Sequence, residues 1–185
     1  MTQHDSFSIT AAAEQLKAGK VIAYPTEAVY GLGCDPLNEQ AVMHLLAIKQ
    51  RPIEKGLILI AANLAQLQSY LLLNDDILAK IMPTWPGPVT WVIPAQTHVP
   101  KWLTGEHDTL AVRVTAHPVA RQLCACYGGA IVSTSANATT EPAMRTSAQV
   151  LAAFAHDDIF VLDGKVGELQ QETAIYDAVS GERLR

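Results

Sequence analysis

Three cations stand in one short span of the chain: Lys49, Arg51 and Lys55, in KQRPIEKG, with Glu54 as the acid among them. Like charges this close repel one another, and a bound anion relieves that. Phosphate suits the set, because Arg offers a planar fork and Lys a compact charge. The same cations would also complement the carbonyl end of a solvated helix, so two readings stand. A second group closes an apolar run: Ser133, Ser135 and Asn137, in IVSTSANATTEP. They alternate, so in a strand their side chains share one face. Hydroxyls and an amide there hold phosphate or ribose oxygens, or else form a local side-chain turn. A third is Thr26-Glu27, after the apolar KVIAYP. That is where ligand residues lie in α/β sheets, and also where a turn or cap would lie. Arg113 sits inside the otherwise apolar LAVRVT. An arginine is almost never buried unpaired, so it requires a carboxylate from the protein or from a ligand.

Familiar catalytic templates fail. There is no G-x-x-x-x-G-K-[ST] loop, no H-E-x-x-H and no G-x-S-x-G. Gly31 and Gly33 in YGLGCD come nearest to a dinucleotide fingerprint, but the third glycine and the acidic ribose partner are missing. His44, His98, His107, His117 and His156 form no ligand constellation, and no side chain stands out as a nucleophile. Cys34 is isolated, and Cys124 and Cys126 form a C-x-C with no second ligand pair, so structural cysteines are expected rather than a disulfide or zinc framework. Trp85, Trp91 and Trp102 form no regular stacking strip and read as packing residues.

The elements that must position these residues follow from length and pattern. The 185 residues, 49% hydrophobic and 17% charged, suit one domain over 1–185 with a sizeable core. A net charge of −5 argues against a broad nonspecific nucleic-acid binder but leaves room for a local basic pocket. No apolar run is long enough to span a bilayer, and MTQHDSFSIT is unlike a signal peptide, so a cytoplasmic protein is expected. Helical periodicity marks ITAAAEQLKAG, NEQAVMHLLAIKQR with Val42, Leu45, Leu46 and Ile48 inward, LAQLQSYLL, HPVARQLCACYGG and TSAQVLAAFA. Strands are expected at KVIAYPT, GLILIAA, Val89–Ile93, TLAVRVT, AIVSTS, IFVLDG and TAIYDAV. Their near-continuous apolar runs imply a sheet covered on both faces. The fold expected is α/β, a twisted, mixed, open sheet in a single domain.

PTEAVYGLGCD, KQRPIEKGLILI, WPGPVTWVIPA, LAVRVTAHP and VSTSAN, in this order and spacing, resemble the YrdC/TsaC family, the threonylcarbamoyl-AMP synthases, from about Val21 onward. The likeness is to the short, single-domain bacterial form. It implies a nucleotidyltransferase: L-threonine, bicarbonate and ATP, with Mg2+ accompanying the nucleotide, give threonylcarbamoyl-adenylate and pyrophosphate. The product serves t6A modification of tRNAs that read ANN codons, through downstream transfer proteins. It also implies roles by position. Lys49, Arg51 and Lys55 would contact the triphosphate as catalytic cations. Thr109, Ser135, Asn137 and Arg185 would approach ATP. Thr26, Arg113, Ser133 and Thr173 would hold threonine, Arg113 on its carboxylate. Glu27 is a candidate acceptor for the amine proton. Two departures stand out: Ile60 where some members carry a threonine-contacting His, and Ala138-Thr139-Thr140-Glu141-Pro142 where S-G-x-P is common. The rival reading is a module that binds tRNA or double-stranded RNA in the same concavity without catalysis.

Overall fold

Eight strands, in the order β7-β1-β2-β6-β3-β5-β4-β8, form one mixed sheet in the computed structural model, which describes residues 3–137 and 142–185. The strands are β1 (Val21–Pro25), β2 (Tyr30–Gly33), β3 (Ile58–Ala61), β4 (Val89–Pro94), β5 (Thr109–Val114), β6 (Ile131–Ser135), β7 (Ile159–Val161) and β8 (Ala174–Asp177). The pairs β1–β7, β3–β5 and β4–β8 are parallel; the others are antiparallel.

Alternation along the strands divides the core between two faces. On one face Ile22, Tyr24, Ile60 and Ile131 pack under Ile9 and Leu16 of α1 (Gln3–Lys17) and Leu123 and Cys124 of α5 (Pro118–Tyr127). On the other, Val21, Ala23, Leu59 and Val132 meet Val42, Leu45 and Leu46 of α2 (Glu39–Lys49) and Ile77 and Ile81 of α3 (Asp75–Ile81). The mixed, open, doubly covered sheet is the one expected from the apolar runs. Two short helices, α4 (Lys101–Thr104) and α6 (Ser147–Ala153), complete the set, and Thr146 caps α6 in a reciprocal capping box with Gln149.

Three elements lie outside the expected set: β2, α3 and α4. LAQLQSYLL is not one α-helix but two short 3-10 turns, Leu64–Gln66 and Gln68–Tyr70, opened by the Asn63 side chain accepting from Gln66 N. β2 escapes a propensity reading because half of YGLG is glycine, which weakens an isolated strand. The fold needs that glycine. A Cβ on Gly33 would lie 2.9 Å from Tyr24 Cε1 and closer still to the Val132 carbonyl oxygen. Gly33→Ala is therefore expected to lower stability by about 1–3 kcal/mol through overpacking against backbone. A urea unfolding midpoint equal to wild type would contradict this.

Candidate active site

Two positions of the chain fix the basic span. Asn38 opens α2 by accepting from Ala41 N, and Gln50 closes it in the left-handed region at φ 48°. The chain then turns through Ile53–Lys55 and Gly56 into β3. Arg51 donates from Nε and Nη2 to the Gly56 carbonyl at 3.3 and 2.9 Å, which fixes its side chain across the turn. Burial draws the Arg51 guanidinium below its usual range. Arginine stays charged nevertheless.

Arg51 and Lys55 line a cavity of about 540 Å³ at the end of the sheet where β6 finishes and β3 begins. Thr26, Thr109, Arg113, Ser133, Ser135, Thr173 and Arg185 line the same cavity. Nine of the eleven residues expected at the site thus share one concavity, gathered from loops and strand ends far apart in the chain. The other two, Lys49 and Asn137, are not in its wall.

Lys49 is buried behind that wall, and its Nζ donates to the carbonyl of Ser135 at 2.6 Å and to the carbonyl and Oδ1 of Asn137 at 3.0 and 3.2 Å. Ser135 Oγ in turn donates to Asn137 Oδ1 at 2.8 Å. Through these bonds Lys49 braces the β6 end, beside the place expected for the triphosphate. Burial first, then the Arg51 charge, draws Lys49 down to about 8, and Glu172 opposes the shift.

Arg113 is 5% exposed. Its Nη1 donates to the hydroxyls of Thr90 and Thr173 at 3.2 and 3.1 Å, and its Nη2 lies 3.3 Å from Glu27 Oε2. The sequence left its counter-ion open between a protein and a ligand carboxylate; the protein supplies one in Glu27. Thr26 donates its hydroxyl to the Val29 carbonyl at 2.7 Å, so toward the cavity its oxygen is an acceptor. Arg185 reaches Glu172 at 2.6 Å and the Thr173 carbonyl at 3.0 Å. Ile60 is fully buried under α1 and α5 and does not line the cavity; Ile58, on the same face of β3, does. The substituted loop at Ala138, Thr139, Thr140 and Glu141 lies outside the described residues.

Some wall residues had no signal in the sequence. His107 belongs to the histidines read as forming no ligand constellation, and Glu172 and Asp177 were not singled out, yet all three line the cavity. Each belongs to a loop or to a strand paired far from its neighbours in sequence, so no local pattern marks it. Gly31 is another. A Cβ there would approach Thr26 Cγ2 at 3.3 Å and Ser133 Oγ at 3.5 Å, so the missing side chain leaves space between two expected ligand residues.

The Sua5/YciO/YrdC family model, described as "Telomere recombination", matches residues 14–185. The chain belongs to this family. A relative from Methylococcus capsulatus named threonylcarbamoyl-AMP synthase is 51% identical over 180 residues, 97% of each chain. One of the same name from Klebsiella pneumoniae is 52% identical over 183 residues, 97% of this chain and 96% of its own. Among solved structures of the family, P. abyssi Sua5 complexed with L-threonine superposes with a TM-score of 0.85 at 33% identity, over 91% of this chain and 50% of Sua5. This chain thus spans about half the length of that Sua5. E. coli YciO superposes with a TM-score of 0.81 at 26% identity, over 91% of this chain and 82% of its own.

Proposed function

We propose that this chain is an L-threonylcarbamoyladenylate synthase. One observation carries the reading: a single cavity joins the cations Arg51 and Lys55 to a buried arginine, Arg113, which donates to the Thr90 and Thr173 hydroxyls, with Thr26 and Ser133 in the same wall. The first pair suits a triphosphate, and the second group suits a small amino acid with a carboxylate and a hydroxyl. Family membership and the names of the relatives support the same assignment.

In this reading threonine lies against Thr26, Arg113, Ser133 and Thr173, with Arg113 on its carboxylate. ATP lies along Arg51, Lys55, Thr109, Ser135 and Arg185, and the apolar Val92, Leu103 and Ile175 offer its base a dry wall. Asn137 and Lys49 support the phosphate end from behind. Threonine's amine takes up carbon from bicarbonate, with loss of water, to form a carbamate. A carbamate oxygen then bonds to the α-phosphorus of ATP. The bond from that phosphorus to the bridging oxygen breaks, and pyrophosphate leaves with the electron pair. Such a step is mostly positioning and charge neutralisation, which is why no nucleophilic side chain is needed. Arg51 and Lys55 meet charge that grows on the departing phosphates.

Mg2+ belongs to this reading as a companion of ATP. Among the described residues no cluster of three or more His, Cys, Asp and Glu offers a dedicated metal site. Glu172 is taken by Arg185, and Asp177 Oδ1 accepts from Val179 N and Ser180 N. The ion would therefore arrive on the triphosphate, which suits the reluctance of Mg2+ to shed its water. The product would pass to proteins that transfer it to ANN-decoding tRNAs, in the cytoplasm. No helix among the described residues is long and apolar enough to cross a membrane.

Incubation with L-threonine, bicarbonate, ATP and Mg2+ tests this. Mass spectrometry is expected to show threonylcarbamoyl-adenylate, with pyrophosphate in equal amount, and both are expected to vanish when threonine is withheld. Salt-sensitive binding of tRNA with neither product formed would replace the enzyme with an RNA-binding module.

A further inference from the structure

Glu27 does not line the cavity, yet it is fixed at both ends. Its Oε1 accepts from the Thr115 hydroxyl at 2.6 Å and from Ala116 N at 3.2 Å. Its Oε2 faces Arg113 Nη2 at 3.3 Å. Its backbone carbonyl accepts from Leu169 N at 3.2 Å. Gly167 presses on that backbone so closely that a Cβ there would stand 3.0 Å from Glu27 Cα. Arg113, at the other side of the pair, does line the cavity.

A buried carboxylate beside a reaction site is either a proton acceptor or a support. Here the geometry separates them. Glu27 Oε2 exposes less than 1 Å² of surface, so no substrate amine reaches it. Burial alone would push the carboxyl up, but the Arg113 charge, the Thr115 hydroxyl and backbone N–H donors outweigh it and hold the carboxyl below its ordinary range. That makes it a poor base. Among the described residues Arg113 Nε and Glu27 Oε2 have no hydrogen-bond partner, so Glu27 Oε2 meets Arg113 through charge alone across 3.3 Å.

We propose that Glu27 is a positioning residue of the amino-acid site: with Thr115 behind it, it sets the plane in which Arg113 presents its guanidinium to the substrate carboxylate. A planar fork recognises a carboxylate only when that plane is held, and a loose support costs affinity rather than chemistry. The inference rests on the assignment of threonine to this cavity.

Three variants of the full chain test it: Glu27→Gln, which keeps shape and the acceptor for Thr115; Glu27→Asp, which keeps the charge; and Thr115→Val, which leaves the ion pair but removes its backing. Pyrophosphate release is measured with threonine and ATP each varied, and threonine binding is measured by calorimetry without ATP. Glu27→Gln is expected to raise the threonine KM and Kd about 30-fold, with the ATP KM within about twofold and kcat within about threefold. Thr115→Val is expected to raise both threonine constants about fivefold, and Glu27→Asp to recover part of the loss. A fall in kcat at unchanged threonine KM would make Glu27 a proton acceptor and overturn the proposal. Equal rises in both KM values that track thermal stability would reduce it to a structural role. Should Glu27→Gln fail to fold, an unchanged threonine Kd in Thr115→Val overturns it alone. Wild-type chain that binds no threonine overturns the site assignment itself, a result distinct from any failure of the variants.

Discussion

Arg51→Ala will lower turnover about 10²–10³-fold while costing roughly 1.5–3 kcal/mol of stability. Both parts follow from one side chain. The two bonds from Arg51 to the Gly56 carbonyl hold the turn, and their loss is the modest structural part. The guanidinium those bonds fix faces the cavity, where no other group offers its planar fork to a departing pyrophosphate from the same turn. Lys55→Ala is the companion measurement. Lys55 is exposed, so its removal leaves stability within about 0.5 kcal/mol and isolates the effect of charge. Pyrophosphate release and urea unfolding on the same preparations decide the matter. A wild-type rate in either variant, or a loss of rate no larger than the loss of folded protein, would remove that residue from the phosphate site.

The second large effect belongs to Lys49, and it takes a different form. Lys49→Met strips a charged donor from the carbonyls of Ser135 and Asn137 and leaves half-buried acceptors without it. A loss of about 2–3 kcal/mol is expected, with a rise of about tenfold or more in the ATP KM as the β6 end loosens. pH gives a second view. An ammonium offers three N–H groups to three oxygens, and a neutral amine offers two. With Lys49 at about 8, wild-type ATP affinity is expected to weaken as pH rises through that value. Stability should move the opposite way. The folded form releases this proton near 8 and the unfolded chain near the ordinary 10.5, so between those values the unfolded state binds more protons and folding gains from rising pH. Lys49→Arg, which stays charged throughout, should flatten both trends. Parallel trends in the two measurements would disprove this origin.

How much of this the sequence could tell depends on whether a residue's task is local. Arg113 inside an apolar strand was conspicuous, because a charge there must have a partner. Which partner was not legible, because Glu27 lies 86 residues earlier and meets it only across the folded sheet. Lys49 was legible as a cation beside Arg51, and its quartering of space was not. On α2 its position follows Leu45 and Leu46 inward, so the side chain runs under the β6 end while Arg51, past the left-handed Gln50, turns to the cavity. β2 was hidden by glycines whose value lies in what they avoid touching. α3 was passed over although Asn74 caps it by accepting from Ile77 N, because the helix is only 7 residues long. Periodicity reports faces that repeat, and the loop residues His107 and Glu172 have none.

The order of strands has a consequence for the newborn chain. Val21 pairs with Ile159 and Val89 with Ala174, so each edge of the sheet is completed by a strand made well after the strand it pairs with. Pairings this distant in sequence are slow to form. A chain still emerging from the ribosome would hold β1 and β4 as uncovered edges, open to other chains. It would also lack Thr173 and Arg185, and with them part of both halves of the cavity. Ligand binding is therefore acquired only once β8 and Arg185 have been made, and threonine or ATP added to chains that lack them should find no foothold to hasten their folding.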